Sequence, residues 1–265
     1  MTVMDEAFFE ITKANVWRGD VLALRDLDLL LETNESVAIL GANGAGKSSL
    51  LKLMTGEVRA EARPGSSCEL FGERRWCLEE LRNRIGLVMP EEVTRFSYDE
   101  AAADVVLSAF RGAYGRTRDM RFKSTEKEAA GTAMKDAGVD HLTDRLFGQL
   151  SSGEKRRFLI ARSLVHKPEI LVLDEPSTAL DFAARLTMLD HLRRVARSTG
   201  TIVLVSHDPA EILPEISRVI LLREGRIIAD GPKREVLDSV SLSELYGMRL
   251  KLRWQDDWPV VRPER

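Results

Sequence analysis

The sequence predicts an α/β protein built on a parallel sheet, and two observations predict it. Short runs rich in Val, Ile and Leu recur beside turn residues at positions 36–40, 169–173, 201–205 and 218–222. They lack polar alternation, as strands buried on both faces should. Longer helical patterns lie between them, at 48–54, 154–165 and 185–198, and strands alternating with helices imply a doubly wound architecture.

Taken in order, residues 1–10 carry Asp5, Glu6 and Glu10 and lack the basic start and apolar stretch of an export leader. A strand region containing Trp17 follows, then a glycine-rich segment between the first apolar run and the first helix. Positions 84–88 read as another strand. Residues from about 96 to 148 read differently, as helices with Ala-rich and charged faces (101–108 and 125–137) interrupted by Gly112, Gly115 and Gly138. This stretch is expected to be a helical subdomain inserted into one α/β domain spanning 1–265. A short C-terminal extension, about 232–265, closes the chain. In it Met248, Leu250, Leu252 and Trp254 alternate with Arg249, Lys251 and Arg253, the period of a half-buried strand. Residues 255–257 are expected to turn it into a hairpin reaching Val260 and Val261.

Composition excludes several classes. The 265 residues suffice for one well-buried core and make a second complete domain unexpected. With 39 Lys and Arg against 42 Asp and Glu, the net charge of −3 does not suit a dedicated nucleic-acid binder. Cys68 and Cys77 lack a second pair or nearby histidines, so reduced thiols are expected rather than zinc. No apolar run reaches spanning length, so the chain is not expected to cross a bilayer by itself.

The chemistry-bearing residues fall in two places. Gly41, Ala42, Asn43, Gly44, Ala45, Gly46, Lys47 and Ser48 fit GxxxxGK[ST] between a strand and a helix, the context that this motif requires. The glycines let backbone N–H groups wrap phosphate oxygens, assisted by the positive end of the following helix. Lys47 is expected to reach β- and γ-phosphates, and the Ser48 hydroxyl to ligate Mg²⁺, with Ser49 beside it. The second place is the end of the run at 170–173, where Asp174 and Glu175 stand where ligands gather in open α/β sheets. Asp174 is expected to hold magnesium through water, and Glu175 to orient or deprotonate the attacking water in phosphoryl transfer.

Leu150, Ser151, Ser152, Gly153 and Glu154, followed by Lys155, Arg156 and Arg157, resemble the LSGGQ signature of ATP-binding cassette (ABC) proteins. With the phosphate loop, Asp174 and Glu175, the D-loop at 177–181 and His207 after the next strand, the resemblance covers nearly the whole chain. It implies a P-loop ATPase with an N-terminal antiparallel β region, hydrolysing ATP with Mg²⁺ in a head-to-tail homodimer. Ser151 and Gly153 of one copy would cap the γ-phosphate held by the other, with Asp181 in the D-loop, His207 as the switch histidine and Trp17 stacking on adenine.

Two departures stand out. The glutamine that the family places after the strand at 84–88 is replaced by Met89, Pro90, Glu91 and Glu92. Either glutamate would then supply an oxygen ligand, or the metal relies on Ser48, Asp174 and water. The signature carries Ser152 for glycine and Glu154 for glutamine, which predicts slow closure around an anionic phosphate. The glutamine-free hinge and the segment at 105–115 resemble the molybdate-type import branch of the family. Arg111, Arg116, Arg118, Arg121 and Lys123 form a locally basic stretch, either a solvated face or a surface for a membrane partner, lipid head groups or nucleic acid. The resemblance implies a cytoplasmic energy-coupling subunit, peripheral to the membrane and working with a separate membrane-spanning subunit. The alternative is a soluble regulatory or nucleic-acid-associated switch; a P-loop kinase would leave the signature and His207 unexplained.

Overall fold

The computed structural model describes residues 6–264; Met1 to Asp5, part of the acidic start considered above, and Arg265 lie outside the described residues. In chain order the strands are β1 (Ala7–Arg18), β2 (Val21–Glu32), β3 (Val37–Leu40), β4 (Ser67–Leu70), β5 (Ile85–Val88) and β6 (Ile170–Asp174). They continue with β7 (Thr201–Ser206), β8 (Arg218–Arg223), β9 (Arg226–Pro232), β10 (Leu250–Gln255) and β11 (Trp258–Pro263). The helices are α1 (Lys47–Met54), α2 (Leu78–Arg84), α3 (Ala102–Leu107), α4 (Ser124–Asp136), α5 (Ser152–Leu164), α6 (Phe182–Thr199), α7 (Lys233–Val236) and α8 (Ser239–Tyr246). Each of the four apolar runs is a strand, displaced from its expected bounds by a residue or so.

The chain forms two compact units, one of residues 6–82 with 200–264 and the other of Asn83–Thr199. In the first, β3 pairs in parallel with β7 and with β8, and β9 continues from β8 antiparallel. Every residue of β3 and β7 is buried, which explains their unbroken apolar or small-polar character. A separate antiparallel sheet, β2-β1-β4, brings Cys68 opposite Ile11. On β2 the alternation of Leu27, Leu29 and Leu31 with Asp28 and Leu30 puts the first three inside.

The expected C-terminal hairpin forms between β10 and β11, closed by Asp256 and Asp257, both at positive φ (47° and 65°) as a two-residue turn demands. Met248 lies before the strand. Helix α8 fastens the hairpin: the Ser239 and Ser243 hydroxyls accept the Leu252 and Leu250 N–H groups at 3.0 and 2.9 Å.

In the second unit β5 pairs in parallel with β6, and α3, α4 and α6 pack around α5. Half-buried Arg162 of α5 ties the helices together, donating to the Val105 carbonyl, the Ser108 hydroxyl and the Ala113 carbonyl at 2.7–2.8 Å. The basic stretch is partly consumed internally: Arg111 grips Glu126 with both terminal nitrogens, and Arg116 pairs with Asp104. Arg118, Arg121 and Lys123 remain exposed. Among the described residues no helix is long and apolar enough to cross a membrane. Both cysteines are free thiols; burial pushes the Cys68 thiol up to about 11, so it stays protonated at neutral pH.

Candidate nucleotide site

The phosphate loop leaves β3 under tight steric control. A Cβ on Gly41 would lie 2.5 Å from the Leu222 carbonyl oxygen, and the Gly41 N–H already donates to the Ser206 carbonyl at the end of β7. Gly46, at φ 107°, is the residue from which α1 starts, and a Cβ there would press on the Ala23 carbonyl at 2.8 Å. These contacts explain glycine at both positions. Across the loop the Ala45 carbonyl accepts the Gly225 N–H at 2.8 Å, binding it to the β8–β9 turn.

Within this cradle Lys47 is buried and curls over the loop, its ammonium donating to the Gly41 and Ala42 carbonyls at 2.9 and 3.2 Å. Asn43, Gly44 and Ser48 are exposed, whereas Ser49 turns inward and is only 3% exposed. Ser48 is thus open to solvent, while Ser49 packs inside the unit. Trp17, near the end of β1 in the same unit, keeps 49% of its surface exposed. Its indole hydrogen-bonds the Glu61 carboxyl, which Asn15 also holds at 2.8 Å; these bonds, Asn15 first, keep that carboxyl below its ordinary range. His207 follows β7 directly, and its backbone carbonyl accepts the Tyr246 hydroxyl at 2.8 Å.

The second unit carries the acids and the signature. Asp174 ends β6 half-buried, and Glu175 follows at φ 44°, a left-handed conformation that a glutamate adopts only when its surroundings hold it there. Thr178 supplies part of that hold, donating its N–H to the Glu175 carbonyl and its hydroxyl to Oε2, both at 3.2 Å. Arg156 supplies more, donating to the Glu175 and Pro176 carbonyls from the signature helix.

Ser151 is the N-cap of α5. Its Oγ accepts the Glu154 N–H at 3.3 Å, and the Glu154 carboxylate returns to accept the Ser151 N–H at 2.7 Å, a closed capping box. Burial pushes the Glu154 carboxyl up, but the bonds from Ser151 and the charges of Arg157 and Arg145 outweigh it, so the group is held below its ordinary value. The acid at the glutamine position of the signature is therefore a helix cap. The Ser151 N–H is thereby occupied. Asp181 caps α6 in the same manner, accepting the Ala184 N–H at 2.8 Å.

The hinge without glutamine has its own arrangement. Pro90 opens a 3₁₀ turn, Pro90–Arg95, that buries Glu92 to 8% exposure. One Glu92 oxygen accepts the Tyr114 hydroxyl at 2.9 Å and the other faces the Met89 N–H at 3.4 Å. Burial pushes this carboxyl up, against the pull of those bonds and of Arg162 and Arg95. Both Glu92 oxygens are thus engaged inside the unit, and Glu91 is the exposed member of the pair.

The donor set suits magnesium. Among the described residues no group of three or more His, Cys, Asp or Glu could hold a metal, so the transition-metal ligand sets are absent from them. The Ser48 hydroxyl in one unit and the Asp174 carboxylate in the other are each oxygen donors, the type that a hard cation takes. Arg156, Tyr246 and Glu61 are the contributors that sequence reasoning did not single out. Only Arg156 had a local signal, its place in the signature helix.

A family model described as ABC transporter matches residues 24–178. An ABC transporter ATP-binding protein of Bacillus subtilis, YlmA, is 31% identical, over 95% of this chain and 96% of its own. A protein named as the hemin import ATP-binding protein HmuV, of Photobacterium damselae, is 32% identical over 92% and 91%. Neither name carries molybdate. The solved structure of cbiO1 from Clostridium perfringens, part of the ABC transporter complex cbiONQ, superposes with a TM-score of 0.75 at 25% identity, over 91% of this chain and 94% of that one. The chain belongs to the ABC transporter family, as an ATP-binding and ATP-hydrolysing cassette of the kind that energises membrane transporters.

Proposed function

We propose that this cassette hydrolyses ATP in a head-to-tail homodimer bound to a separate membrane subunit, and that its transport direction is import. The loop N–H groups, Lys47 and Ser48 bind the phosphates, and Trp17 offers its exposed face to adenine. Ser48 and Asp174 would hold magnesium, which would neutralise phosphate charge when bound. Glu175 orients the attacking water and takes up its proton as the oxygen–phosphorus bond forms and ADP leaves. Ser151 and Gly153 of a second copy, at the positive end of α5, close over the γ-phosphate, with Asp181 and His207 beside it.

The observation carrying this reading is Glu175 itself, directly after Asp174 and fixed at φ 44° by contacts from Thr178 and Arg156. A carboxylate held in that way loses little freedom when it must point at one water. Import is the direction common to the molybdate-type resemblance and to the hemin import name of a relative. The cytoplasmic face of a membrane is the corresponding location.

Glu175→Gln tests the reading. The variant is expected to bind ATP, release no phosphate and accumulate as a dimer by light scattering, and to sediment with an integral membrane subunit from host membranes. Normal turnover would remove Glu175 from its role. Recovery only as a soluble complex with nucleic acid would favour the switch.

A further inference from the structure

We infer that Tyr246 is a positioning residue for His207, through which the C-terminal segment sets the turnover rate. The inference rests on the reading of His207 as the γ-phosphate contact. Every residue involved lies in the unit of residues 6–82 and 200–264.

The His207 peptide is fixed from two sides. Upstream, the Ser206 carbonyl accepts the Gly41 N–H of the phosphate loop at 3.3 Å. The Ser206 hydroxyl meets the Asp208 N–H at 3.0 Å and donates to the Glu211 carboxylate, and both Ser206 and Glu211 are buried. This turn fixes the chain on either side of His207 without touching its carbonyl. That carbonyl is taken up by Tyr246, the last residue of α8, whose phenolic oxygen donates at 2.8 Å. Burial, with the Asp208 and Glu211 carboxylates nearby, pushes the phenol upward, so it remains a donor at any physiological pH.

The end of α8 also borders the phosphate loop. A cavity of about 280 Å³ is walled by Ala42–Ala45 on one side and by Leu245, Tyr246 and Gly247 on another. Tyr246 therefore adjoins both the loop and His207. Rotation of the His207 peptide would swing its imidazole, and the Tyr246 hydroxyl opposes that rotation. A displacement of α8, to which the β10–β11 hairpin is fastened, would remove this restraint.

Tyr246→Phe deletes one oxygen and keeps the ring. It should lower kcat about fivefold, the effect of one neutral hydrogen bond, while KM and the Kd for ATP stay unchanged. His207→Ala should lower kcat much further, and adding Tyr246→Phe to it should change nothing more, because the second residue acts only through the first. An unchanged kcat in Tyr246→Phe, a rise in KM with no fall in kcat, or independent losses in the double variant would overturn the inference and leave the His207 reading intact. Wild-type turnover by His207→Ala would overturn that reading and the inference with it.

Discussion

The Arg156 guanidinium donates to the backbone carbonyls of Glu175 and Pro176 at 3.0 and 2.6 Å. It thereby links the helix that begins at the signature to the turn that carries the proposed catalytic carboxylate. Arg156 is 8% exposed, and these carbonyls are among the groups that keep its charge in the interior. The two motifs that the chemistry needs in one unit are thus joined by a single side chain.

Arg156→Lys keeps the charge and loses the planar fork that spans two carbonyls. We expect kcat to fall roughly tenfold, equivalent to about 1.4 kcal/mol in the barrier, with ATP affinity retained because the phosphate loop is untouched. The melting temperature should drop by several degrees, as losing a buried charge-assisted bond costs about 1.5–3 kcal/mol. Steady-state ATPase kinetics and a thermal melt check both; unchanged kcat would mean that the Glu175 turn holds itself.

Glu154→Gln should leave stability nearly unchanged, since an amide oxygen can still accept the Ser151 N–H and keep the capping box closed. Removing the negative charge beside an anionic γ-phosphate should raise the ATPase rate several-fold, by roughly 0.5–1 kcal/mol at the helix terminus. Ser151→Ala should do the opposite, losing about 1 kcal/mol of cap and the hydroxyl proton. A slower Glu154→Gln enzyme would show that the acid has a role beyond capping.

His191 predicts a pH dependence of stability. It is buried in the second unit, with Arg157 facing Nε2 at 3.0 Å and Arg194 facing Nδ1 at 2.9 Å. Burial first, then these two charges, against the pull of Asp190, lowers its pKa to about 4 from 6.5. The imidazole stays neutral in the folded protein down to about pH 4, whereas in the unfolded chain it takes up a proton below pH 6.5. Stability from this group is therefore complete above pH 6.5 and falls as pH drops toward 4, by about 1–3 kcal/mol. Melts at pH 7.5 and pH 5 should separate more for the wild type than for His191→Gln; equal separations would contradict the shift.

The sequence by itself determined whatever depends on residues close together along the chain. The phosphate loop between strand and helix, the acids ending an apolar strand and the hairpin at 255–257 are local patterns, because a turn or a buried strand needs particular residues within a few positions. Tertiary structure decided the partners of groups far apart in sequence. Glu92 meets Tyr114, Arg156 meets Glu175, Tyr246 meets His207 and Arg111 is neutralised by Glu126. Nothing periodic marks such pairs, since a hydrogen bond requires two atoms within about 3 Å and chain folding alone sets which distant atoms come that close. For the same reason the hinge glutamates, equivalent ligand candidates in the sequence, became distinct only when one was buried against a tyrosine hydroxyl and the other left in water.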